Sequence, residues 1–308
     1  MNHSDYKSNN LKALSFLVLP SMFVLLSVVL FSTQNLIFYG LGTLSLSLFF
    51  TQTFFLLHEC GHLNFFITKT SNKIFGNIFG FLNVIPFFTW QHMHNLHHKW
   101  TGWRDLDPTT EETVKPSTHK LMQLFVNICW LLFIPVFYLA YMLSNYWNIF
   151  KIKRFVSVSV FKISILNIFI YILLYVLLFY FYSSFILHYI LPSFLISSIW
   201  KELVIMTQHS HIEIPISDGM EVRPVPYTEQ VKYTRSFYTH PLISKYFLLN
   251  FNLHEVHHVY PGLPAYWLDQ INLEVPKTPN YSEWFMQAKS MRGVDYIFNT
   301  SKQTGKKF

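Results

Sequence analysis

Histidine is the residue whose number and spacing could do chemistry in this chain, which has 15 of them among 308 residues. Eleven lie in four short clusters, at 58–62, 92–98, 209–211 and 254–258. Three of these clusters carry the spacing of a single helix face, because residues at i, i+3 and i+4 are neighbours on a helix. The side chains with that spacing are His58, His62, His94, His97, His98, His254, His257 and His258.

Eight imidazoles on three short helices are too many for one metal ion, and they suit two ions with four ligands each. His209 and His211 are both candidates for a ninth ligand, and the sequence does not separate them. A single histidine is usually a surface or hydrogen-bonded residue, and we interpret the four histidines outside the clusters in that way. Packing many imidazoles together is costly unless a metal satisfies them. The clusters therefore predict a metal site.

The composition indicates where this site lies. Of all residues, 51% are hydrophobic and only 13% are charged, against about 25% in soluble domains. A soluble enzyme of this length could not cover its surface with so few polar side chains. The net charge of +7 comes from basic residues between apolar runs, which is typical of cytoplasmic loops and not of nucleic-acid binding. The two cysteines, Cys60 and Cys129, offer no disulfide framework.

Two long stretches contain no Lys, Arg, Asp or Glu, namely 13–57 and 163–200. A membrane-spanning helix needs about 20 apolar residues, so each stretch has room for two crossings and a tight turn. The turns are predicted at 32–35 and 182–184. The sequence therefore predicts an all-α integral membrane protein with four transmembrane helices, arranged as two hairpins at about 13–57 and 163–206.

A third uncharged run, 121–150, is long enough to span a membrane. A single crossing there would place Lys151, Lys153 and Arg154 on the side opposite to the other basic loops, against the positive-inside rule. We therefore expect this run to enter and leave on the same side, or to lie along the membrane interface.

The chain contains no repeat and no linker, so we expect a single domain over 1–308. Its histidine clusters all fall on the cytoplasmic side of this topology. They would form a His-rich cap together with membrane-associated helices. The segments that supply the cap are 58–120 and 207–308.

Imidazole ligands suit zinc, copper, iron and nickel. The cluster at 58–62 also matches the HExxH pattern of zinc proteases, in which two histidines bind zinc and the glutamate is the base. That alternative lacks a third ligand, since no Asp or Glu occurs between 121 and 200. It also leaves both HxxHH motifs without a role, and an intramembrane zinc protease is therefore a remote alternative.

The three motifs resemble the three histidine boxes of the membrane fatty acid desaturase superfamily. They read HECGH at 58–62, HNLHH at 94–98 and HEVHH at 254–258. The position of Trp90, four residues before His94, is similar to that of a Trp in acyl-lipid desaturases. The QHSH segment that ends at His211 resembles an element of Δ12-type members. The resemblance covers about residues 35 to 270.

This resemblance implies a non-haem centre of two iron ions on the cytoplasmic face, with O2 as co-substrate. The eight box histidines would be the ligands, with His209 or His211 as the ninth. The reaction would introduce a C=C bond into a long-chain acyl lipid, which belongs to fatty acid biosynthesis and lipid metabolism. Electrons would come from an external ferredoxin, rubredoxin or cytochrome b5 with its reductase. A hydroxylase or a carotenoid ketolase or hydroxylase on the same site is the alternative.

Ligating histidines usually donate their second N–H to a carboxylate or carbonyl, which fixes the ring. Four carboxylates near the boxes are candidates for this role: Glu59, Asp105, Asp107 and Glu255. Asp105 and Asp107 are the foremost of them. We expect no catalytic residue beyond the metal ligands.

Overall fold

A computed structural model describes residues 6–115, 118–273 and 279–307. These residues form helices and loops, and none of them lies in a β-strand. The helices of the first half are α1 (Asn10–Ser15), α2 (Val18–Ser32), α3 (Leu36–Gly61), α4 (Lys69–Leu82), α5 (Phe87–Trp100), α6 (Lys120–Leu131), α7 (Val136–Met142) and α8 (Ile149–Phe155). Those of the second half are α9 (Val158–Phe185), α10 (Leu191–His209), α11 (His254–Val259), α12 (Tyr281–Lys289), α13 (Gly293–Phe298) and α14 (Ser301–Thr304).

Three helical segments of the described chain are long and apolar enough to cross a membrane: Asn10–Ser32, Leu36–Gly61 and Val158–His209. A fourth is present if the pair Lys120–Leu131 and Val136–Trp147 counts as one span, but this pair is bent by 110°. The prediction of an all-helical protein with several apolar spanning segments is confirmed at this level.

The first predicted hairpin turn lies between α2 and α3. Helix α2 ends at Ser32 and α3 begins at Leu36. Gln34 has a φ of 53°, which reverses the chain direction. The Asn35 side chain then accepts hydrogen bonds from the backbone N–H groups at the start of α3, as Asn commonly does at a helix N-cap. Polar turn residues between two apolar runs thus form the predicted turn.

The second turn lies within Val158–His209, which is helical over 52 residues. Tyr182 has non-helical angles, with φ −130° and ψ 26°. Tyr175 Oη donates to Phe81 O and Lys201 Nζ donates to Asn83 Oδ1. In a straight helix Tyr175 and Lys201 would be about 39 Å apart. Since both reach the same end of α4, the chain turns back between them.

Helix α3 lies at the centre of the packing and carries the first two histidines at its C-terminal end. It packs against α2, α4, α5 and α10. Gly61 lies directly against Trp90 of α5, and a Cβ at this position would be 1.9 Å from the indole ring. Gly76 of α4 lies against Phe87 in the same way. Glycine at these two positions lets the three helices approach closely, which brings the histidines at the end of α3 next to those of α5.

Helices α6 and α7 form a bent unit, which we call the elbow (120–147). One side of α6 packs on α12 and α13, where Trp130 contacts Trp284 and Tyr296. Leu131 and Leu132 at the bend are exposed. Glu202 of α10 accepts the backbone N–H groups of the first residues of α7, which fixes the elbow to the helix that carries His209.

Replacing Gly61 with Ala should destabilise the protein by about 1–3 kcal/mol, because the new methyl group overpacks the contact with Trp90. Thermal unfolding in detergent, followed by circular dichroism, measures the effect. Gly40→Ala on the same helix is the matched control, since nothing lies within 4 Å of its Cβ. Equal melting temperatures for the two variants would contradict the close contact.

Candidate metal centre

Nine histidines form two adjacent groups in the interior of the cap. In each group, every residue offers a ring nitrogen that lies within 4.8 Å of those of the others. The first group contains His58, His62, His94, His98 and His257. The second group contains His97, His209, His254 and His258. The structure thus brings together all eight histidines with helix-face spacing and one of the two candidates for the ninth.

Each HxxHH motif contributes to both groups. On α5, His94 and His98 point to the first group and His97 to the second. On α11, the i and i+4 residues His254 and His258 point to the second group, while His257 points to the first. The two groups are therefore in contact, and the His98 and His258 ring centroids lie 4.4 Å apart.

His209 and His211 separate because α10 ends between them. His209 is the last residue of the helix, and its Nε2 lies 2.8 Å from Nε2 of His254. His211 follows in a left-handed conformation, with φ 60°. Its Nδ1 lies 3.1 Å from Asn299 O, and its Nε2 lies 3.2 Å from Lys306 O. The geometry thus groups His209, and not His211, with the other histidines.

The outer ring nitrogens of several grouped histidines face protein acceptors. Nδ1 of His97 lies 2.6 Å from Asp107 Oδ2, and Nδ1 of His58 lies 2.9 Å from Glu59 Oε1. Nδ1 of His258 lies 2.9 Å from the side-chain oxygen of Gln230. A neutral imidazole that donates from Nδ1 presents an unprotonated Nε2. In these three rings, the contacts therefore favour an Nε2 lone pair that faces the interior of the group.

The inner nitrogens converge on one another. Nε2 to Nε2 separations of 2.8–3.1 Å link His62 to His94, His94 to His98, His98 to His257, His254 to His209, and His258 to His254. Nε2 of His58 is buried and has no hydrogen-bond partner among the described residues. Facing lone pairs repel unless a cation lies between them. The donor set thus fits transition-metal ions that prefer imidazole.

Electrostatics keeps these ligands neutral. Burial, followed by the neighbouring imidazoles, lowers the pKa of His94, His98 and His257 well below the usual value. The same causes lower the pKa of His254 and His258. At pH 7 these rings are unprotonated, which is the form that binds metal.

Two of the four candidate carboxylates contact histidines of the groups. Glu59 accepts from His58 with one oxygen and from the Ala265 N–H with the other, at 2.8 Å. Asp107 accepts from His97 and from the Thr109 N–H. Burial raises the pKa of Asp107, but the His97 ring and the Thr109 N–H outweigh it, so this pKa lies below its usual value. Both carboxylates orient the rings from outside.

The other two candidates bond to loop residues instead of histidines. Asp105 accepts from the N–H and hydroxyl of Ser217, so it fixes the segment around Ser217 to the loop after α5. Glu255 accepts from the Ser236 N–H at 3.0 Å. The helix α11 presents its three histidines on one side and Glu255 on another, so this carboxylate fixes a neighbouring loop instead of an imidazole.

Two residues that the sequence reasoning missed complete the surroundings. Gln230 is fully buried, accepts from His258 and donates to His98 O at 2.7 Å, so it joins the second and third motifs. Thr109 contacts both Asp107 Oδ1 and His97 Nδ1. The Asp-Pro-Thr sequence is typical of a turn closed by the Asp side chain, which could have indicated Thr109. No motif or spacing indicates Gln230.

A cavity opens onto both histidine groups. Its volume is about 1080 Å³ including the space at its mouth. It is lined by histidines of both groups and by apolar side chains that include Phe54, Phe137, Ile205, Met206 and Phe251. The cavity thus brings apolar side chains next to histidines of both groups.

The model of the fatty acid desaturase family matches residues 34–290. A fatty acid desaturase of Bacillus subtilis is 28% identical over 232 residues, which cover 72% of this chain and 63% of the relative. An sn-1 oleoyl-lipid 12-desaturase of Anabaena variabilis is 39% identical over 57 residues, 18% of this chain and 16% of the relative. A Δ(12) fatty acid desaturase of Mortierella alpina is 40% identical over 52 residues, which cover 17% of this chain and 13% of the relative. The chain thus spans less than two thirds of each relative's length.

Replacing Asp107 with Asn should weaken metal binding about 10- to 100-fold, because the carboxylate that holds the His97 N–H is lost. Titration of the metal-free protein with Fe²⁺ or Co²⁺ measures the affinity. Asp105→Asn is the matched control, because it removes the same charge two residues away. The Asp105 side chain contacts Ser217 and no histidine of the groups, so this variant should bind the metal ion as tightly as the wild type does. An equal loss in both variants would contradict the role of Asp107.

Proposed function

Because the chain belongs to the fatty acid desaturase family, whose members are oxidoreductases, we propose that it introduces a C=C bond into an acyl chain of a membrane lipid with O2 as co-substrate. The observation that carries this proposal is the pair of histidine groups opening onto one largely apolar cavity. The sn-1 oleoyl-lipid 12-desaturase relative supports a lipid-bound acyl substrate.

We assign one iron ion to each histidine group. The ligands of the first ion are His58, His62, His94, His98 and His257, and those of the second are His97, His209, His254 and His258. Bound iron would supply the redox chemistry that an unactivated C–H bond requires. Zinc has no redox chemistry, so it would not serve. The electrons come from an external donor, for which a ferredoxin, a rubredoxin or cytochrome b5 with its reductase are the candidates.

The protein's part is to bind, orient and exclude water. Trp90 stacks on the His94 ring with centroids 4.5 Å apart and touches the edge of His58. It therefore fixes the wall of the cavity at the first group. Phe251 packs against His58 with centroids 4.8 Å apart. These rings hold an acyl chain close to both groups and keep bulk water away, so that the reacting carbons are already positioned.

The geometry does not favour the zinc protease alternative. That mechanism needs Glu59 as a base directed at a metal-bound water. Both Glu59 oxygens instead accept hydrogen bonds, from His58 and from the Ala265 N–H. The two metal groups also contain no carboxylate among the described residues.

We further propose that four helices cross the membrane and that the metal centre faces the cytoplasm. His58 and His209 lie at the C-terminal ends of α3 and α10, and their groups touch, so these two ends lie on the same side. The elbow then enters and leaves on that side. Its bend of 110° and the exposed Leu131 and Leu132 suit a segment that dips into the bilayer and returns.

Expression in a bacterium with saturated membrane lipids tests the reaction. Wild-type protein should yield a new double bond in the lipid acyl chains and one iron ion for each histidine group. His209→Ala should lose the double bond and at least 10-fold in iron affinity, whereas His211→Ala should retain its iron. A hydroxylated lipid or an altered carotenoid would replace the desaturase assignment, and one zinc with no iron would refute it.

Cysteine labelling from each side of sealed vesicles tests the topology. Lys115→Cys and Lys153→Cys flank the elbow, and both should react with an impermeant maleimide from the side of the metal centre. Ser184→Cys, in the second hairpin turn, should react only from the opposite side. Cys60 and Cys129 are buried and give little background. Labelling of residues 115 and 153 from opposite sides would show that the elbow crosses.

A further inference from the structure

A second cavity lies between the elbow, α10 and α12, outside the metal centre. It is a groove of about 1040 Å³ including the space at its mouth. Its lining includes Phe133, Ile199, Trp200, Leu203 and Phe285. Trp200 is 42% exposed and Met286, at the rim, is 69% exposed. An apolar groove of this kind, open along apolar helices, fits a hydrocarbon chain.

One cation lies beside this groove, against the ring of Phe133 that lines it. Lys289 lies one helical turn after Phe285, and its Nζ is 3.8 Å from the ring centroids of both Trp130 and Phe133. It donates one hydrogen bond to Trp130 O at the end of α6, and an ammonium group has three donors.

Lys289 differs from Lys151 and Lys245, which are also wholly or partly buried. Lys151 and Lys245 each form an ion pair with a carboxylate. No carboxylate in the described ranges lies within ion-pair distance of Lys289. Burial lowers the pKa of Lys289 to about 8, with Glu202 partly opposing this shift. The group is therefore still charged at pH 7, and an anion would compensate it.

We propose that this groove binds one phospholipid, with an acyl chain along Ile199 and Leu203 and the phosphate on Lys289. The two parts of the ligand follow from two features: the apolar lining suits a hydrocarbon chain, and the cation beside Phe133 suits a negative headgroup. A phospholipid combines the two, and a lysine beside an apolar surface is a common arrangement at membrane interfaces.

The groove adjoins the cavity at the metal centre. Glu202 and Leu203 are neighbours on α10, and Glu202 lines the cavity while Leu203 lines the groove. On the elbow, Phe137 lines the cavity and Phe133 lines the groove one turn away. A lipid in the groove is thus separated from the cavity by α10 and the start of α7. That this lipid is the substrate awaiting access rests on the proposed function.

A phosphatidylglycerol that carries a photoreactive diazirine in its acyl chain tests the site in the full-length protein. Crosslinks should map to 196–203 and 281–286. Lys289→Gln should lower this labelling about fivefold, the effect of one lysine near an anionic headgroup, and Lys289→Arg should restore it. Lys302→Gln, an exposed lysine of α14, removes the same charge away from the groove and should label as the wild type does.

A diacylglycerol with the same diazirine distinguishes headgroup recognition from general apolar adsorption. It should label the groove weakly and without dependence on Lys289. Equal labelling by both lipids, or equal labelling of wild type and Lys289→Gln, would overturn the proposal. Unchanged melting of Lys289→Gln excludes loss of the fold as the cause. Because crosslinking needs no turnover, labelling of an inactive His97→Ala protein would separate this site from the proposed reaction.

Discussion

The structure depends on the inward convergence of neutral imidazole nitrogens in a buried cap. Nine rings are packed with Nε2 atoms as close as 2.8 Å, and the buried Nε2 of His58 has no hydrogen-bond partner among the described residues. The outer nitrogens of His97, His58 and His258 are held by Asp107, Glu59 and Gln230 respectively. The cap is therefore built to hold lone pairs against their mutual repulsion, and a cation is what makes that arrangement favourable.

The helices that reach this point explain much of the remaining fold. Gly61 and Gly76 allow α3, α4 and α5 to approach closely, and Glu202 fixes the elbow to α10. The long apolar helices α3 and α10 thus both end at the histidine groups. The buried Lys201 is bonded to Asn83 and Ser197, and it joins α10 to the end of α4.

The sequence predicts the eight clustered histidines and both hairpin turns because helix-face spacing and uncharged runs are local patterns. The sequence does not predict how the rings divide between the two groups. Spacing of i, i+3 and i+4 indicates a shared helix face, but it does not indicate that His97 belongs to a different group from His94 and His98. His209 is distinguished from His211 only by where α10 ends. Gln230 contributes through tertiary contacts alone, and the same is true of the groove beside Lys289.

The interleaving of each HxxHH motif has a consequence for assembly. His97 and His98 are joined by one peptide bond and serve different groups, as do His257 and His258. Two ions held in this way would share the helices that carry their ligands, so the first ion to bind would order the backbone needed by the second. Loading should then be cooperative, with empty and fully loaded molecules dominating over singly loaded ones. The spacing between the ions would be set by the covalent chain and would change little with the substrate.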